Sequence, residues 1–124
     1  MNVVDSSGWL EYLSGGPNAA FFAPPIEDPS SLVVPTISIF EVFKRVLRER
    51  GDVLAHQVAS AMSVGQLADL TAELALDAAR LGVEHRLSMA DSIILATARL
   101  HQAILWTQDA DFVDIAGTRY VASR

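Results

Sequence analysis

With 124 residues, the chain has the length of one compact domain, residues 1–124, large enough to bury a core. Hydrophobic residues make up 51% and cysteine is absent, which excludes a disordered chain, a disulfide framework, a Cys-ligated metal and a thiol nucleophile. Fifteen acids against nine Lys and Arg give a net charge of −6, which excludes a generally basic nucleic-acid surface but permits a local basic patch.

Met1 to Val4 reads as a short strand ending at Asp5. Ser6 or Ser7 then caps a helix carrying Trp9, Leu10 and Leu13 on one face. Ser14 to Pro17 and Pro24 to Pro29 read as turns around a short, irregular helix. Leu32 to Val34 is a second apolar run, closed by Pro35. Thr36 is placed to cap the next helix, where Ile39, Val42, Phe43, Val46 and Leu47 share a face and Gly51 ends the element. Asp52 to Ser63 is helical, and Gln66 to Leu70 reads as a strand. Thr71 to Leu81 is helical with Gly82 as its C-cap. Ser88 to Gln102 is apolar around most of its circumference and so reads as a deeply buried helix. Ala103 to Trp106 is a third apolar strand, and Tyr120-Val121 the last.

Short apolar strands alternating with helices predict an α/β domain with a parallel sheet. The longest charge-free stretch, Val53 to Ala68, is too polar for a membrane span. No basic residue precedes the first apolar run, as one would in a secretory leader. The expectation is a cytoplasmic protein with no membrane segment.

Parallel sheets place their sites at the carboxyl ends of the strands. Asp5, Glu41, Asp91 and Asp109, with Asp111 close by, all fall near that edge. Each has an ordinary structural explanation. Asp5 can cap a helix, and Glu41 can pair with Lys44 or Arg45 on a helix surface. Asp91 fits a capping box with Ser88, and Asp109 and Asp111 fit Asx turns. Taken together the acids point elsewhere. Converging carboxylates repel unless a cation offsets them, and an all-oxygen set favours Mg²⁺ or Mn²⁺. Such an ion suits phosphodiester hydrolysis.

Four segments carry a family resemblance: Val3-Val4-Asp5-Ser6-Ser7, Pro35 to Val42, Leu87 to Ala98, and Leu105 to Phe112. In this order and spacing they resemble a PIN domain, specifically the toxin half of a VapBC-type toxin–antitoxin pair. The resemblance implies a three-layer α/β/α fold with a parallel central sheet. It implies a Mg²⁺- or Mn²⁺-dependent endoribonuclease that cleaves RNA, with Asp5, Glu41, Asp91 and Asp109 as catalytic metal ligands. Glu41 would ligate directly, act through a water or assist proton transfer. Asp111, Ser6 and Thr107 take supporting roles; the two hydroxyls would orient a carboxylate or a water, or cap a helix. The partners implied are a cognate antitoxin, gripped by the early helices, and a second copy in a homodimer.

Lys44, Arg45 and Arg48 share a helix face with Glu41, so they are the expected RNA-binding patch; Arg86 and Arg99 are weaker candidates. Trp9, Tyr12, Phe21 and Phe22 have the chemistry to stack on bases, although Trp9 aligns with core positions. His56, His85 and His101 lack ligand spacing. Two other functions fit less well. A phosphoacceptor needs a late lysine, and Lys44 is the only lysine. A catalytically silent PIN-like interaction module usually lacks one of the acids.

Overall fold

The computed structural model describes all 124 residues. Five short parallel strands alternate with six helices. The strands are β1 (Asn2–Val4), β2 (Val33–Pro35), β3 (Gln66–Ala68), β4 (Ile104–Thr107) and β5 (Thr118–Tyr120). β1 pairs with β4, β4 with β5, and β2 with β3, all in parallel. A single parallel bridge between Asn2 and Leu32 joins the two sets, so the order across the sheet is β3-β2-β1-β4-β5.

Side chains alternate across the strands and divide the core in two. Val4, Val34 and Trp106 face one apolar cluster with Trp9, Phe22, Val42 and Val58. Val3, Val33 and Leu105 face a second with Ile94, Leu95 and Phe112. The first cluster packs against α1 (Ser6–Ser14), α2 (Ala19–Ile26), α3 (Thr36–Arg50) and α4 (Asp52–Met62). On the other face lie α5 (Ala72–His85) and α6 (Met89–Leu100). The result is the three-layer α/β/α arrangement with a parallel sheet. No helix is long and apolar enough to cross a membrane.

Several local expectations change. Of the cap candidates Asp5, Ser6 and Ser7, Asp5 is the N-cap of α1, accepting from the Gly8 N–H. Thr36 opens α3 rather than capping it, because Pro35 holds the extended N-cap conformation. α2 is helical through Pro24 and Pro25, held by burial of Phe22 and Pro25 rather than by propensity. β3 stops at Ala68, and β5 starts two residues earlier than expected and ends at Tyr120.

Gly82 does not end α5. The helix runs on to His85, and Arg86 takes the left-handed C-cap. Glycine is needed at 82 for another reason. A Cβ there would come within 2.5 Å of Ser92 Oγ, so its absence lets α5 and α6 approach. Gly8 works the same way where α1 leaves the sheet, since a Cβ would meet Phe22 at 2.6 Å and Val4 at 2.7 Å. α6 is as buried as its pattern predicts, with every residue from Ser92 to Ala98 inside.

Candidate active site

β1 ends at the carboxyl edge and delivers Asp5 into the interior, 2% exposed. Its Oδ1 accepts from the Gly8 N–H and the Ser7 hydroxyl, each at 2.8 Å. Its Oδ2 accepts from the Thr107 hydroxyl at the end of β4. That hydroxyl in turn accepts from the Asp109 N–H at 2.9 Å. Thr107 thus couples the two strand ends that carry acids.

Asp109 caps the 3-10 turn that follows, accepting from the Asp111 N–H at 2.9 Å. Asp91 stands in the first turn of α6, where Ser88 Oγ accepts from its N–H at 3.3 Å. The capping contact therefore uses the backbone of Asp91 and leaves its carboxylate available. One carboxylate oxygen each from Asp91, Asp109 and Asp111 lie within 4.8 Å of one another. Glu41 enters from α3, its Oε1 accepting from the Ser6 hydroxyl at 2.6 Å.

The electrostatics tie all four main acids together. Burial pushes the Asp91 carboxyl up to about 7, helped by the charges of Asp109, Asp5 and Glu41 and opposed by the Ser88 hydroxyl. Burial also pushes Asp5 up to about 6, against the hydrogen bonds from Thr107, Gly8 and Ser7. Asp109 adds a smaller push in the same direction. A set of mutually repelling carboxylates, one of them buried and three half-buried, is costly as it stands. A hard divalent cation would offset the repulsion, and the oxygen-only donor set suits one.

Sequence placed Asp111 in a secondary role. In space it is grouped with Asp91 and Asp109, while Asp5 approaches from the end of β1 and Glu41 from α3. Ser7 was not singled out, yet it is one of three donors on Asp5. Asn18 was also missed. It is buried, and its Nδ2 donates at 2.9 Å to both Gln108 Oε1 and the Ala122 carbonyl. Its N–H donates to Glu11 at 2.7 Å, so it ties the segment between Thr107 and Asp109 to the α1–α2 turn. The only local signal was an Asn at a helix start, and there its side chain makes no capping bond.

The basic stripe adjoins the acids. Lys44, Arg45 and Arg48 share a hollow of about 270 Å³ with Ser6, Glu41 and Phe40. Arg45 is committed to Glu49 at 2.7 Å, and Lys44 lies over the Phe40 ring at 5.7 Å. Arg99 lines a different groove with Asp77 and Glu84, and Arg86 serves as the α5 cap. Trp9 and Phe22 are buried, so they are not available for stacking.

No curated protein matches the chain by sequence at a significant level. Solved structures do match in shape. A toxin–antitoxin complex from Klebsiella pneumoniae superposes with a TM-score of 0.79 at 25% identity, covering 96% of each chain. VapC20 of Mycobacterium tuberculosis, described as a sarcin–ricin loop cleaving toxin, gives 0.76 at 20% identity over 94% of this chain and 95% of that one. A DNA-bound VapBC from Salmonella typhimurium gives 0.74 at 14% identity over 98% of each. The PIN domain family matches residues 3–118. That span takes in every strand-end acid and reaches from β1 to the start of β5, and the chain belongs to the PIN domain family.

Proposed function

We propose that the protein is a Mg²⁺- or Mn²⁺-dependent endoribonuclease and the toxin of a toxin–antitoxin pair. The observation that carries this is the convergence of Asp91, Asp109 and Asp111 within 4.8 Å, with Asp5 and Glu41 close enough to raise the Asp91 pKa. Asp5, Asp91, Asp109 and Glu41 hold the ion, with Asp111 as an additional oxygen donor. When bound, the ion supplies Lewis-acid chemistry, easing deprotonation of a water and offsetting charge on the phosphate oxygens.

The chain's own residues do the rest. Thr107, Ser7 and the Gly8 N–H hold the Asp5 carboxylate in one orientation. Ser6 does the same for Glu41, which is placed to take or return a proton. Lys44, Arg45 and Arg48 hold RNA phosphates beside the acids.

An antitoxin partner follows from the toxin–antitoxin complex of Klebsiella pneumoniae and the VapBC of Salmonella typhimurium, both similar in fold. A second copy would cover the exposed apolar residues Leu76, Val83, Met89 and Leu100 on α5 and α6. A cytoplasmic location goes with this reading.

The test is cleavage of a total-RNA pool by antitoxin-free protein with Mn²⁺, with Mg²⁺ and with chelator. Asp91→Asn runs alongside. Metal-dependent fragments, lost by a hundredfold or more in the variant, are expected. Fragments that persist in chelator would overturn the metal-dependent reading. No Mn²⁺-induced rise in melting temperature for wild type, with no cleavage, would favour a silent interaction module.

A further inference from the structure

The chain has nine aromatic side chains: five Phe, two Trp and two Tyr. Eight of them are buried or half-buried. Phe40 alone is exposed, at 59%. It precedes Glu41 on α3 and lines the hollow that holds Glu41, Ser6, Lys44, Arg45 and Arg48. Phe40 belongs to none of the apolar clusters of the core, and its neighbour is Lys44, one helical turn on. We propose that Phe40 is a stacking platform for one unpaired nucleobase beside the phosphate to be cleaved. This rests on the nuclease reading above and narrows its substrate to single-stranded or looped RNA.

The chemistry of the hollow selects the ligand. A protein helix would need a broad apolar surface, and only Leu10 and Phe40 are apolar there. Three cations around one flat ring suit a polyanion that carries flat apolar groups, which describes a nucleic-acid strand. Lys44 sits near the ring face at 5.7 Å, so a phosphate drawn to Lys44 brings its neighbouring base to Phe40. Arg45 is held by Glu49, which leaves Lys44 and Arg48 as the unpaired cations flanking the ring. A base inside a duplex is already stacked on both faces and cannot use the ring. The platform therefore selects unpaired strands without reading sequence.

The position is exposed, so substitutions there leave the core untouched. The experiment measures binding of a short fluorescein-labelled RNA of mixed sequence, single-stranded or annealed to its complement. The proteins are Asp91→Asn and the same protein carrying Phe40→Ala or Phe40→Trp. Single-strand affinity is expected to fall about tenfold in Phe40→Ala and to return in Phe40→Trp, whose fluorescence is quenched on binding. Duplex affinity is expected to stay level across the three. Equal single-strand affinity in Phe40→Ala, with the parent protein binding RNA, would overturn the platform alone. No RNA binding by the parent protein would overturn the nuclease reading and the platform with it.

Discussion

Asp5 and Asp91 meet at one cluster from opposite layers of the molecule, and they are held differently. Asp5 accepts three hydrogen bonds, one from the backbone and two from hydroxyls, and caps α1. Asp91 has the Ser88 hydroxyl as the one neighbour favouring its charge, against three acids that oppose it. Burial is the largest cause of the raised pKa at both positions. At Asp5 the fold supplies compensating donors. At Asp91 it supplies further negative charge, and only an added cation relieves that. One acid is thus built into the fold, and the other stands among like charges with a single hydroxyl to offset them.

That contrast breaks down if the two positions respond alike to substitution. Asp5→Ala removes the α1 cap and leaves the Thr107 hydroxyl without its acceptor, whereas Asp5→Asn keeps a side-chain oxygen for the Gly8 N–H. Metal-free Asp5→Ala should be less stable than Asp5→Asn by about 1–2 kcal/mol in chemical denaturation. Asp91→Ala and Asp91→Asn should differ by less than about 0.5 kcal/mol, because the Ser88 contact uses the backbone of residue 91. An equal split at both positions would remove the distinction.

A smaller effect sharpens it through pH. Between about pH 4 and 7 the folded chain keeps protons on Asp91 and Asp5 that the unfolded chain has released. The native state binds more protons, so the stability of metal-free protein falls as pH rises through that window. Melting temperature in chelator should decline from pH 5 to 8, and Asp91→Asn should flatten the upper part of the decline. Saturating Mn²⁺ should reverse the slope, since deprotonated carboxylates bind the ion. A level profile for wild type in chelator would show that the repulsion is relieved without metal.

The smallest effects belong to the basic stripe. Lys44→Ala and Arg48→Ala should each weaken RNA binding a few-fold and reduce the salt dependence by about one ion. Arg45→Ala should do less, because Glu49 already neutralises it. Titrations at several salt concentrations check the order.

The parts of this arrangement legible in sequence were those with local causes. Val3-Val4, Val33-Val34 and Leu105-Trp106 are short apolar runs bounded by polar or turn residues, which read as buried strands, and the acids near them follow from the α/β pattern. The α3 stripe was legible because a helix wheel places Lys44, Arg45 and Arg48 beside Glu41. What was not legible came from distant partners. Gly82 looks like a helix stop, but its partner is Ser92 on the next helix. α2 keeps two prolines because Phe22 and Pro25 are buried in the core. Asn18 bonds to groups 90 and 104 positions away, which no local pattern records. Asp111 joins the cluster through the turn that Asp109 caps, and spacing alone does not fix that turn.

The bond between Asp5 and Thr107 spans 102 positions, and β1 pairs first with β4 rather than with any strand made soon after it. On a ribosome, Asp5 emerges early and waits for Thr107 and Asp109 until most of the chain has been made. Until then β1 has only β2 beside it, and the acids lie on separate pieces of chain. Such long-range parallel pairing is slow to form. The acid cluster therefore needs both ends of the chain, and it cannot assemble before Thr107 and Asp109 have been made.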